Sequence, residues 1–137
     1  MSEQGGKVEG GAPIVRPADS VERQVVGAGK ATAMQVLLGP REGAPNFALR
    51  RFTMGEGGGM PFHTNEVEHE QYVLRGRARV RIGDQIHEVG PDHTLYMPAG
   101  APHSYEVVEA PFEFLCVVPN RPDSIRILEE SASPEES

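Results

Sequence analysis

At 137 residues, with a formal net charge of −7, the chain has room for one domain, and its acidic balance argues against a phosphate-backbone partner, which selects a basic footprint. Its single cysteine, Cys116, leaves no intrachain disulfide and no CxxC-type zinc or redox motif. The start, Met1-Ser2-Glu3-Gln4-Gly5-Gly6, lacks a basic residue ahead of an apolar run, and no apolar stretch is long enough to span a bilayer. The expectation is a soluble, cytoplasmic protein with neither a nucleic-acid nor a membrane partner.

In chain order, residues 1–13 are Gly-rich and polar and read as a flexible arm; residues 129–137 read as a matching C-terminal tail, with one folded domain over 14–128. Inside it strand signals recur at short intervals, each bounded by Gly, Pro or Asn: residues 24–26, 32–38 and 47–54 come first. A glycine-rich turn, Gly57-Gly58-Gly59, leads to His63 and His69 and a strand-like run ending near Gly76. Next, residues 78–82 and 85–89 flank Gly83-Asp84 as a hairpin. Residues 94–97, 103–108 and 112–118 complete the set. The helix candidates are a short piece at residues 17–21 and the segment 123–128. Eight or more strands punctuated by 12 prolines and 16 glycines, with no helical period to cross between parallel strands, predict an all-β closed barrel or jelly roll.

Arg75, Arg77, Arg79 and Arg81 alternate with smaller residues, so period-two geometry puts them on one strand face. Without interleaved aromatics this is no nucleic-acid stripe. A solvated or subunit-facing outer face, paired with Glu66, Glu68, Glu70 or Glu88, is the better reading.

His63, Asn65 and His69 share one parity, and Gln71 and Val73 continue it, so these side chains face one side of extended backbone. His103 follows Pro98-Ala99-Gly100-Ala101-Pro102, a turn that fixes where its strand begins and delivers a third imidazole from elsewhere. Three neutral imidazoles suit a divalent first-row ion (manganese, iron, nickel, copper or zinc) and leave positions open for water or substrate. Asn65 could add an amide oxygen or hydrogen-bond a bound water. His87, in a polar hairpin, and His93, in a turn, read as surface residues. Cys116 shares parity with Phe112 and Phe114 and reads as a small buried hydrophobe. Arg50, Arg51, Gln71, Tyr72, Tyr96 and Tyr105 are the remaining polar candidates for a pocket; no catalytic residue stands out among them.

The order Gly57-x5-His63-x-Asn65-x3-His69-x6-Gly76, then Pro98-x-Gly100-x2-His103, resembles the paired motifs of the cupin superfamily. With Ala44-Pro45-Asn46-Phe47 upstream and residues 113–119 downstream, it is most similar to small single-domain four-histidine cupins. That resemblance implies a compact homodimeric jelly roll binding manganese or a similar metal. Three ligand positions carry over as His63, His69 and His103. Asn65 stands where the second histidine is expected, His69 where a broader cupin pattern has Glu, and Asp92 where the second motif has its leading Gly. A three-histidine set also resembles iron-dependent cupin dioxygenases. The leading expectation is thus a metal-dependent, dioxygenase-like oxidoreductase acting on a small chelating organic substrate. The alternative is a barrel that binds or senses a small ligand without turning it over.

Overall fold

The structure, a computed structural model, describes residues 10–128. The tail expected over 129–137 and most of the expected N-terminal arm lie outside the described residues. Eight strands, β1 (Gln24–Val25), β2 (Lys30–Leu38), β3 (Phe47–Asn65), β4 (His69–Ile82), β5 (Gln85–Val89), β6 (Thr94–Met97), β7 (His103–Pro119) and β8 (Ile125–Ile127), form one antiparallel set with almost no helix. A 3-10 turn at Ala18–Ser20 occupies the first helix candidate, and a second lies at Pro40–Glu42.

Three strands are much longer than their sequence signals, because each runs on through a glycine or proline interruption. β3 continues from residue 54 to Asn65, with its register to β7 jumping between Met54 and Gly59, so the glycine-rich segment is a bulge inside a strand rather than a turn. β7 likewise joins the segments 103–108 and 112–118. The pairings split the long strands into halves. The first half of β3 lies between β2 and the end of β7, whereas its last residues lie between β8 and the start of β7. β4 pairs with β6 and the end of β7 first, then with β5 and the start of β7. Strands that change sheets midway in this manner wrap a single barrel around one core.

Two glycines permit the crossing. Gly76 has φ +81°, and a Cβ there would run into the Pro111 carbonyl and the backbone of Phe112; Gly59 has φ +151°, and a Cβ would meet the Tyr105 carbonyl. Only a residue without a side chain fits either place. At Gly76 the inward parity of β4 also changes: His69, Gln71 and Val73 are buried before it, Ala78 and Val80 after it. Arg75 therefore points outward with Arg77 and Arg79.

The outer arginines pair mainly across strands. Arg77 meets Glu88 at 3.1 Å, as the hairpin suggested, but Arg75 meets Glu113 (3.4 Å) and Arg79 meets Glu106 (3.6 Å), both on β7. Glu66, Glu68 and Glu70 are not their partners, because β4 lies beside β7 and these residues lie beyond the reach of its second half. Arg81 covers the Phe62 ring at 4.1 Å.

The segment 123–128 is not helical. Ile125–Ile127 pair with Asn65–His63 of β3, where no β2 residue is available, and the alternation Ile-Arg-Ile suits such an edge. The core is built from alternating inward residues, with Met54, Val73, Val80, Phe112 and Cys116 each at 0 % exposure.

Candidate functional site

The barrel holds a cavity of about 270 Å³ under the β3–β7 pairing. His63 and His103 are direct partners across β3 and β7, their rings 4.3 Å apart between centroids. His69 enters from the start of β4, its ring 6.2 Å from that of His103. All three are buried and line the cavity, as do Asn65, which is half-buried, and Gln71. Phe52, Phe114 and Tyr105 form a stack along one wall, with centroid spacings of 5.1 and 5.3 Å.

The hydrogen bonds define which imidazole nitrogens are left over. His63 Nδ1 donates to the Pro61 carbonyl (2.7 Å) and His103 Nδ1 to the Ala101 carbonyl (2.9 Å). A carbonyl only accepts, so each Nδ1 carries the hydrogen and each neutral ring keeps its lone pair on Nε2. His69 Nδ1 lies 3.5 Å from Cys116 Sγ, and its Nε2 is buried with no partner. Burial is the main reason that all three imidazoles resist protonation. It pulls His63 down from its ordinary value, and His69 and His103 to about 4, with the Arg50 charge adding to the effect on His69 and His63 to that on His103.

Behind this row lies a buried polar chain. The Tyr105 hydroxyl donates to Gln71 Oε1 (2.9 Å), Gln71 Nε2 to Cys116 Sγ (3.7 Å), and Arg50 Nη2 to the same sulfur (3.3 Å). Burial pushes the Tyr105 hydroxyl and the Cys116 thiol up, so both keep their protons. Cys116 is thus the buried, unactivated thiol its parity suggested.

One residue that the sequence concealed is Asp123. It lines the cavity, accepts from the backbone of Glu66 (2.7 Å) and Val67 (3.3 Å) and from Asn65 Nδ2 (3.1 Å), and stands 3.9 Å from His69 Nε2. Reading 123–128 as a helix hid it; the Pro-Asp-Ser step ahead of an Ile-Arg-Ile edge strand was the available signal. The other polar candidates divide: Arg50, Gln71 and Tyr105 border the cavity, whereas Tyr72 and Tyr96 are exposed and Arg51 turns to Gln35 and Asp19. His87 and His93 are exposed, as expected.

The three imidazoles stand near one another without converging on one point: no group of three or more His, Cys, Asp or Glu among the described residues is set to grip an ion as the side chains stand. Their chemistry nonetheless fits one. Arg50 Nε, Asn65 Oδ1 and His69 Nε2 are the buried side-chain polar atoms without a partner among the described residues, and all three residues line this cavity. Buried polar atoms are ordinarily satisfied, so three orphans around one space mark a place for an ion, water or ligand.

Fold and cavity together define an antiparallel β-barrel with an imidazole-lined internal site. The family model described as "Cupin domain" matches residues 50–118, and the chain belongs to the cupin family, whose members commonly bind metals. Among solved structures, the polyketide cyclase RemF from Streptomyces resistomycificus is 30% identical, with 91% of this chain and 96% of that chain covered and a TM-score of 0.79. A cupin 2 domain-containing protein from Halorhodospira halophila is 28% identical over 75% of this chain and 73% of that chain (TM-score 0.68). A cupin-2 domain protein from Rhodospirillum rubrum, 20% identical over 91% of this chain and 85% of that chain (TM-score 0.72), shares the fold. No curated protein matches the chain. Among the described residues no helix is long and apolar enough to cross a membrane.

Proposed function

We propose that the cavity is the active site of a metal-dependent enzyme acting on a small, metal-chelating carbonyl compound. The observation that carries this reading is the set of three unpartnered buried polar atoms around one cavity. His63, His69 and His103 would hold the ion, with Asn65 beside them. A divalent ion held there would act as a Lewis acid on the oxygens of a chelating substrate. The remaining work falls to the chain. The stack of Phe52, Phe114 and Tyr105 offers a flat apolar wall for a planar substrate. Asp123 is the carboxylate that lines the cavity among the described residues and can accept a proton through Oδ2, whereas the Tyr105 hydroxyl, which burial keeps protonated and which donates to Gln71 Oε1, orients that amide rather than giving up its proton.

The near full-length likeness to a polyketide cyclase favours ring closure of a polycarbonyl substrate by proton transfer. Dioxygenase-like oxidation is the second reading, supported by a ligand set of three histidines with positions to spare; a barrel that only binds its ligand is the third. The test is to load the ion-free full chain with zinc(II), manganese(II) or iron(II) and add 1,3-dicarbonyl and polycarbonyl compounds, with and without oxygen. Ion-dependent loss of substrate without oxygen is expected. Oxygen consumption restricted to iron(II) would move the assignment to the oxidoreductase, and no turnover with any ion would leave the binding barrel. The homodimer implied by the four-histidine relatives belongs to this proposal and is read from mass in solution.

A further inference from the structure

We infer that the cavity takes its organic ligand as an anion, with the Arg50 guanidinium as the counter-charge; the ligand class is a planar, largely apolar carbonyl compound bound as its carboxylate or enolate. The inference rests on the reading that this cavity is the substrate site, but not on the presence of an ion.

Arg50 projects from β3 into the cavity wall, and no Asp or Glu among the described residues lies within ion-pair distance of it. What it does touch are poor substitutes for an anion. Nη2 donates to Cys116 Sγ at 3.3 Å, a weak acceptor whose thiol stays protonated, and the guanidinium lies 5.1 Å from the Phe52 ring centroid. Nε is buried with no partner at all. Arg50 as a whole is half-buried, but its Nε is shut off from water, a position that is costly for a charged donor unless it is hydrogen-bonded, and a guanidinium is a planar fork shaped for two oxygens. Among the described residues Asp123 is the one carboxylate on the cavity, and it is already held by two backbone N–H groups and the Asn65 amide.

The body of the ligand follows from the other walls. Met54 and Met60 face the space with the Phe52–Phe114–Tyr105 stack, and about 270 Å³ holds one or two rings rather than a long chain. An acidic carbonyl end at Arg50 would then lie on the same side as His69, whose ring feels the Arg50 charge. Ion and arginine would thus share one polar end of the ligand.

The test uses the ion-free full chain and a matched pair of probes, 1-naphthoate and its neutral isostere 1-naphthamide, with affinities measured by calorimetry. The wild type is expected to prefer naphthoate by about ten- to a hundredfold, the range of a charge-assisted bidentate contact. Arg50→Met should bind the two probes alike. An unchanged naphthoate affinity in Arg50→Met, or no preference or no naphthoate binding in the wild type, overturns the inference. A second measurement needs no folded Arg50→Met: in ¹⁵N NMR of the wild type, one arginine Nε–H signal, assigned by its loss in Arg50→Lys, should shift with naphthoate and not with naphthamide. If no such signal moves, the inference falls. Cobalt(II) uptake, followed by its visible spectrum, is the separate readout for the ion. Uptake without anion preference sinks only this inference, and anion preference without uptake sinks only the metal reading.

Discussion

Arginine stands on both sides of this barrel wall and meets opposite treatment on each. On the outside of β4, Arg75, Arg77 and Arg79 each face a glutamate on a neighbouring strand, and Arg81 lies flat on Phe62. On the inside, Arg50 has a sulfur, a ring face and a buried, unpartnered Nε. The outer pairs follow directly from strand register and cost the fold little. The inner groups work against it, because Arg50, Asn65 and His69 each bury a polar atom that the fold leaves unsatisfied. A fold selected for stability alone would fill this space with apolar side chains, and this contrast is what the proposed site inside the barrel rests on.

The comparison breaks first if the inner imidazoles are idle. His69→Ala or His103→Ala is expected to abolish stoichiometric uptake of a divalent ion, measured by metal analysis after loading and desalting. Full retention in both variants would return the cavity to a purely structural role.

The next effect is on stability. In the ion-free chain burial holds His69 and His103 at about 4, below the ordinary 6.5. Between those pH values the unfolded chain takes up protons that the folded chain refuses. The contribution is therefore complete above pH 6.5 and is lost as pH falls towards 4, on the order of 3 kcal/mol per imidazole. Urea midpoints of the ion-free protein should fall steeply over this window. A flat profile would mean that the three rings are open to water.

A smaller change sharpens the inner side. Asn65 sits opposite Ile125 of β8, with its Nδ2 on Asp123 and its Oδ1 unpartnered. Asn65→His should tighten ion binding by about tenfold, since an imidazole is a better donor than an amide oxygen. Unchanged affinity in a competition titration would show that this position turns away from the ion.

Much of this contrast was legible in the sequence, and the failures share one cause. Period-two parity put His63, His69, Gln71, Val73 and Cys116 inside, and the turn before His103 brought that ring opposite His63. Parity is local, however, and a bulge resets it. Placing residues 69, 71 and 73 inside and Arg75, Arg77 and Arg79 outside already requires the count to flip between them, but why it flips at Gly76 follows only from the approach of β7, which leaves no room for a Cβ there. Pairing partners are equally non-local. Arg75 and Arg79 find Glu113 and Glu106 because β7 lies beside β4, a matter of topology rather than proximity in sequence. Asp123 was lost for the same reason: a three-residue edge strand carries too few positions to distinguish its period from that of a helical turn. Arg50 was visible as a polar candidate, but its lack of an anion is a property of the packed interior alone.

The smallest effect lies outside, at Arg77 and Glu88. Their side chains are 41 % and 46 % exposed, so water screens the 3.1 Å pair and competes for both groups. Arg77→Ala should destabilise the chain by no more than about 1 kcal/mol, and a double-mutant cycle with Glu88→Ala should give a coupling of a few tenths of a kcal/mol. It should also leave ion uptake unchanged, because the Arg77 side chain lies outside the cavity. A coupling several times larger would mean that this face is covered in solution, since only desolvation raises an exposed pair to that strength. The neat division between a wet outer wall and a functional interior would then give way to two buried surfaces, one facing a ligand and the other a second chain.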